Sequence, residues 1–229
     1  MKKLCCKVIW KFFLAVLFFF LCTSLGKVGR EVFITKIQRQ PTFILDAGHG
    51  GVDGGALSLS GEKESVINLE ITLCMEQMLV LMGESPLLLR REDVSLHDNS
   101  AVTIREKKVS DLKNRATAVN ANHTATLVSI HQNSFPESKY AGSQVFYAST
   151  GGSKELAADI QNALRTYLQQ ENTRQEKLVS DNIYLLNHVE NCAVLIECGF
   201  LSNPEEEKLL QQADYQKQLS LVLVSALCR

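Results

Sequence analysis

The sequence predicts an α/β fold: a mostly parallel mixed sheet of about six strands flanked by helices, in a single domain. Two observations carry this. Short apolar runs alternate with longer segments whose apolar residues recur every three or four positions, which is strand–helix alternation. Three of the runs, 43–45, 127–130 (broken only by Ser129) and 193–196, read as buried strands. Each is closely followed by a polar residue: His49, His131 and Glu197. Open α/β sheets collect ligands at the carboxyl ends of their strands, so these three side chains can converge.

The elements follow in order. Phe43-Ile44-Leu45 is the first strand. Gly48, Gly50, Gly51, Gly54 and Gly55 then form a loop whose backbone can pass close to a ligand. From Glu64 the period becomes helical, through Ile67, Ile71, Cys74, Met78 and Leu81, and Gly83 closes the helix. Residues 86–89 form a second strand. A polar helix over 111–122, with Leu112, Arg115 and Val119, leads into a strand over 126–130. Residues 143–148 alternate as a strand, and 153–170 form an amphipathic helix through Leu156, Ile160, Leu164 and Leu168. Two further strands are expected at 183–186 and 193–197. Asn203 can cap a helix with Pro204 in its first turn, and Glu206 completes a capping-box-like pair. A last helix over 215–227 turns Leu219, Val222 and Ala226 inward.

The chain has 229 residues and a net charge of −1, so nothing argues for a nucleic-acid partner. Its start differs from the rest. Lys2, Lys3, Lys7 and Lys11 precede an apolar run over 12–21, which reads as a signal peptide or signal anchor over residues 1–26. Lys11 interrupts the stretch but can snorkel, so this segment can also hold the chain on a membrane. Residues 27–40 are a linker, and 41–229 the folded domain. Seven cysteines lack paired CxxC spacing, which argues against a zinc ribbon.

The chemistry-bearing residues are His49, Glu64, His131 and Glu197. Catalytic zinc sites use three protein ligands and keep a fourth position for water. Bound zinc lowers the pKa of water to about 7, and a carboxylate can then move the proton. Two histidines and one glutamate would supply the ligands and the other glutamate the base. Spacing alone leaves open which glutamate does which, and Glu62 lies two residues from Glu64. The compact H-E-x-x-H signature is absent.

Four segments carry a resemblance. Asp46-Ala47-Gly48-His49-Gly50-Gly51, Glu64-Ser65-Val66-Ile67-Asn68-Leu69, Ser129-Ile130-His131-Gln132-Asn133 and Glu197-Cys198-Gly199-Phe200-Leu201-Ser202-Asn203 occur in this order. Together they resemble the zinc-dependent N-acetylmuramoyl-L-alanine amidases of the type-3 family, over residues 42–227. The resemblance implies one zinc ion held by His49, Glu64 and His131, with Glu197 as the catalytic residue. It implies hydrolysis of the amide between the lactyl group of N-acetylmuramic acid and L-alanine of the peptidoglycan stem peptide. Arg105, Lys107 and Asp111-Leu112-Lys113-Asn114-Arg115 resemble the spore-cortex subgroup, whose members allow muramic-δ-lactam to form. That subgroup pairs an export segment with one bare catalytic domain. The resemblance therefore implies action in the cell envelope, secreted or membrane-anchored, and in the spore intermembrane space if sporulation-specific. The lack of a wall-targeting domain makes an activating protein partner plausible. Only 134–141 separate Asn133 from Gly142, too few for an inserted inhibitory helix. Two other readings keep the same residues: a zinc peptidase cutting within the stem peptide, and a non-catalytic wall-binding module.

Other candidates have structural readings. His97 and His123 are expected at the surface and His188 in a loop before the Glu197 strand. Arg115 is expected to pair with a carboxylate. Cys198 should face away from Glu197, because adjacent strand residues point to opposite faces.

Overall fold

The computed structural model describes residues 40–228. The expected leader, and all of the linker but Gln40, lie outside the described residues. Six strands form one sheet: β1 (Phe43–Ala47), β2 (Leu87–Leu88), β3 (Thr126–Asn133), β4 (Gln144–Tyr147), β5 (Lys177–Leu178) and β6 (Ala193–Phe200). Their order across the sheet is β2-β1-β3-β6-β4-β5. All neighbours run parallel except β4, which is antiparallel to β6. The helices are α1 (Glu64–Leu81), α2 (Ile104–Asn120), α3 (Ser153–Tyr167), α4 (Tyr184–Asn187), α5 (Pro204–Leu210) and α6 (Ala213–Leu227). Among the described residues, no helix is long and apolar enough to cross a membrane.

The central strands are mostly apolar because helices cover both faces of the sheet, and their polar residues gather toward the carboxyl ends. Leu45, Val128, Ile130, Val194 and Ile196 pack with Ile71, Ile160 and Leu223 from α1, α3 and α6. On the other face, Ile44, Leu127 and Leu195 meet Ala116 and Val119 of α2 and Leu185 and Leu186 of α4. Each such fully buried side chain contributes about 1.5–3 kcal/mol. The core of α1 is Ile67, Ile71, Met75 and Leu79, a strict four-residue ridge, while Leu81 is exposed. The expected stripe through Cys74, Met78 and Leu81 drifts off this ridge, since it steps back by three where the buried face steps by four.

Two elements differ from expectation. Residues 183–186 do not form a strand. They belong to the single turn α4, which buries the adjacent Leu185 and Leu186 and is tied by Asn187 Nδ2 donating to the Ser180 and Ile183 carbonyls (2.9 and 2.8 Å). Burial of two consecutive side chains on one side is helical, not strand-like, and a run of four apolar residues does not distinguish the two. The sixth strand is instead Lys177–Leu178, an exposed edge with no apolar alternation. Helix α2 begins at Ile104, seven residues before its expected start, under a capping box of Thr103 and Glu106.

The α5 entry is partly as expected. Asn203 Oδ1 accepts from the Glu205 and Glu206 amides (3.0 and 3.1 Å), and Pro204 occupies the first turn. Glu206 does not reach back to the cap. Its carboxylate accepts from the Gly142 and Phe200 amides (both 2.8 Å) and so ties the β3–β4 loop to the end of β6. Asn203 Nδ2 donates to the Ser138 and Tyr140 carbonyls in that loop. Asn203→Ala should therefore lower unfolding free energy by about 1–2 kcal/mol, measured by urea denaturation. Asn203→Asp, which keeps the cap and loses the loop contacts, should fall between the two.

Candidate metal centre

Parallel register places the site. Asp46 of β1 lies opposite Ser129 of β3, and His131 of β3 lies opposite Glu197 of β6. The Gly48 amide extends the ladder one step by donating to the Ile130 carbonyl (2.9 Å). A Cβ on Gly48 would come within 2.2 Å of the His131 ring, so no other residue fits there. The chain then turns sharply. His49 has φ 61°, the one positive-φ non-glycine residue among those described. Such strain persists only where surroundings over-determine the backbone, and it clusters at functional sites.

Two buried arginines supply that constraint. Arg90, following β2, donates to the Ala47, Gly48 and Ser65 carbonyls (2.8, 3.0 and 2.7 Å). Arg115 of α2 donates to the Ala47 and His49 carbonyls (3.0 and 2.7 Å). It also pairs with Asp46 and, through Nε at 2.7 Å, with Asp111. Burial disfavours the Asp46 charge, but Arg115 beside it and the Ser129 hydroxyl at 2.6 Å outweigh this and hold its carboxyl below the usual range.

The strained loop brings His49 to Glu64 at the start of α1, and both to His131. One ligand atom from each of His49, Glu64 and His131 lies within 4.8 Å of the others. Glu64 Oε1 is 3.3 Å from His49 Nε2 and 3.1 Å from His131 Nδ1, and it accepts from the Gln132 amide and Asn68 Nδ2. Burial opposes the Glu64 charge, but the two histidines outweigh it and keep the group ionised. His49 Nδ1 meets Asp53 at 3.0 Å, and Lys108 approaches the same carboxylate at 3.2 Å. Burial works against a protonated His49, yet Asp53 and Glu64 raise its pKa to about 9.

Glu197 completes the row. Its Oε2 is buried and has no hydrogen-bond partner among the described residues. Burial, with Glu64 nearby, raises its pKa to about 7, against the opposing effect of His131 and His49. A cavity of about 250 Å³ opens over Glu197 and the histidines, walled by Lys108 and Leu112 of α2 and by Ile183 and Tyr184 at α4.

A family model described as N-acetylmuramoyl-L-alanine amidase (Amidase_3) matches residues 43–229. The chain belongs to this amidase family. The germination-specific N-acetylmuramoyl-L-alanine amidase of Bacillus subtilis (strain 168) is 34% identical over 188 residues, covering 81% of this chain and 77% of that protein. The CwlD amidase of Clostridioides difficile, solved in complex with the GerS lipoprotein, is 41% identical, with a TM-score of 0.77 over 81% of this chain and 95% of that one. An N-acetylmuramoyl-L-alanine amidase of Clostridium difficile 630 is 29% identical, with a TM-score of 0.69 over 83% of this chain and 96% of that one.

In this amidase, the remaining candidates fall away from the cluster. Glu62 is exposed, its carboxylate accepting from the Lys63 amide (3.0 Å). Cys198 is buried in the core on the sheet face opposite Glu197, and burial pushes its thiol pKa up. His188 stacks on Tyr184 at 3.8 Å and shares a hydrogen bond with its carbonyl. His97 bonds Ser95 Oγ and His123 is exposed beyond α2. Arg115 pairs with carboxylates as expected.

The sequence reading missed Asp53, Asn68, Arg90 and Gln132. Arg90 left a faint signal as a lone cation after an apolar run. The others lie inside quoted motifs or beside them, with nothing local to show that they orient the cluster.

Two consequences are measurable. Arg115→Met should lower unfolding free energy by about 3–5 kcal/mol, because it leaves Asp46 charged and buried without its partner; urea denaturation reads this. Asp53→Asn should lower the His49 pKa from about 9, because a carboxylate that favours its protonated form is gone; an NMR titration of the His49 ring in the metal-free chain reads this without any turnover.

Proposed function

We propose that the chain is a zinc-dependent hydrolase of the amide between the lactyl group of N-acetylmuramic acid and L-alanine of the stem peptide. His49, Glu64 and His131 would hold one zinc ion and Glu197 would be the catalytic residue. The observation that carries this is the convergence of a two-histidine, one-glutamate set beside a carboxylate whose buried Oε2 has no partner. The donor set fits the metal: nitrogen and oxygen ligands numbering three suit a catalytic zinc with an open position. When bound, zinc would supply Lewis acidity, polarising the carbonyl and making water acidic near neutral pH.

The rest is done by side chains. Glu197 is placed to accept a proton from water on Oε2 and to deliver it to the departing alanine amine. Asp53 accepts from His49 Nδ1 and so fixes the ring orientation, while Lys108 holds Asp53. Asn68 and the Gln132 amide hold the Glu64 carboxylate. The walls from α2 and α4 limit water around the reacting amide.

We also infer a role in spore cortex formation, supported by the germination-specific and CwlD relatives. The lipoprotein bound to CwlD supports a protein partner for this chain too. Residues 1–26 would export it, cleaved or retained as an anchor, and 41–229 would act on peptidoglycan outside the cytoplasmic membrane.

The full-length chain, with zinc and purified peptidoglycan, should release free stem peptides beginning with L-alanine, detected by mass spectrometry and lost with chelator. Glu197→Gln should reduce turnover about 10²–10⁴-fold while retaining zinc. Shortened peptides left on muramic acid would instead mark a peptidase, and unchanged turnover in Glu197→Gln would remove that residue from catalysis. The working form of Glu197 is the anion, which exists above its pKa. Activity of the zinc-loaded chain should therefore fall on the acid side, at a pH below the value of about 7 that burial gives Glu197 in the metal-free chain, because a bound cation favours the anion.

A further inference from the structure

A second groove, of about 280 Å³, lies beside the candidate centre. Register places it there. Gln144 of β4 pairs with Glu197 of β6, and Phe146 pairs with both Leu195 of β6 and Lys177 of β5. Residues paired across a sheet share a face, so the groove continues from the Glu197 row outward across β4 to β5. Phe135, Tyr140 and Phe200 build its apolar wall. The Phe135 and Tyr140 rings meet edge to face at 5.1 Å, and Tyr140 stacks on Phe200 at 6.3 Å.

Cations stand over this wall. The Arg174 guanidinium lies 5.0 Å from the Phe200 ring centroid, and Lys139 lies 5.3 Å from that of Tyr140. Arg174 Nε donates to the Ala141 carbonyl (3.2 Å), whereas neither Nη group has a hydrogen-bond partner among the described residues. No carboxylate lies within ion-pair distance of Arg174, Lys177 or Lys139 among the described residues. The nearby Glu206 is already bound by two backbone amides. A guanidinium edge left free beside an aromatic face is suited to bidentate carboxylate binding. A further polar group is unsatisfied here. Gln144 lines the groove, is 2% exposed, and its buried Oε1 has no partner. Its Nε2 donates to the Gln175 and Val145 carbonyls, so the oxygen is the atom left over. An amide N–H of a ligand would satisfy it.

We propose that this groove binds the stem peptide of the substrate, with Arg174 and Lys177 receiving its carboxylates and Gln144 Oε1 accepting a backbone N–H. The proposal rests on the amidase reading above. Its chemistry follows from the substrate: beyond L-alanine, a stem peptide carries a free carboxylate on its second residue, D-glutamate, and often another on a diacid third residue. Distance agrees. Strands lie about 4.8 Å apart and an extended peptide advances about 3.3 Å per residue. From Glu197 to β5 is therefore about 10 Å, which sets the second and third residues over β4 and β5. The wall aromatics would bury the aliphatic stems of those residues.

The test compares three disaccharide tetrapeptides with the full-length zinc-loaded chain: both carboxylates free, the second residue amidated, or the third residue amidated. Wild type should prefer the free diacid by about tenfold or more in kcat/KM over at least one amidated form. The amidated form that loses shows which carboxylate is read. Arg174→Gln and Lys177→Gln should each shrink that preference, and the double variant should bring it near one. The Lys177 side chain is exposed and has no ion-pair or hydrogen-bond partner among the described residues, so its variant should fold as wild type does, checked by thermal unfolding. Equal rates on all three substrates, or a preference unchanged in both variants, would overturn the proposal. Purified peptidoglycan in the same assay separates this proposal from the amidase reading: release of stem peptides from it with none of the three fragments cleaved would overturn the proposal alone, and release from neither would overturn the amidase reading and the proposal with it.

Discussion

The carbonyls of Ala47, Gly48 and His49 are the constraint on which the centre depends. All three point at buried guanidinium groups, Arg90 from the end of β2 and Arg115 from α2. A loop leaving a buried strand would normally turn these acceptors to water. Here two cations that can never release their charge hold them instead. The same contacts force His49 into its left-handed conformation and aim its ring at Glu64. The cost of burying Arg115 is offset by Asp46 and Asp111, so fold stability and site geometry share one network.

Glu64 is the second pivot. It begins α1, where the helix dipole favours an anion, and one of its oxygens faces both histidines. Its other oxygen accepts from the Ala56 amide (2.9 Å), which anchors the glycine-rich loop on the same carboxylate. A Cβ on Gly55 would meet Glu64 Oε2 at 2.4 Å, and φ there is +70°, so this glycine lets the loop fold over the carboxylate. The two imidazoles, Asn68 and the Gln132 amide hold this carboxylate in its ionised form before any ion is present. That is preorganisation: the charges are already where an ion needs them.

Glu197 and the groove beyond it extend the centre along the sheet. His131, Glu197 and Gln144 form one row across three strands, because β3 and β6 run parallel and β4 returns antiparallel with its first residue at the same edge. Reversing one strand places the start of β4 where the ends of β3 and β6 lie. A chemical centre and a peptide-sized groove thus share one edge without any inserted domain.

The sequence determined the strand–helix alternation, the three buried strands and the polar residues at their ends, because burial on both faces demands runs that are largely apolar. It also determined that Cys198 turns away from Glu197, since strand period is two. Short elements were not legible. The turn at 183–186 and the edge strand at Lys177–Leu178 are too brief for a period, and neighbouring surfaces decide their form. The chain's own spacing left open which glutamate joins the histidines. In the structure Glu64 is buried against both rings, and Glu62 faces solvent. Arg90 and Asp53 acquired their contacts the same way. Each acts through atoms brought together by sheet register and loop closure, over sequence distances that no local pattern encodes.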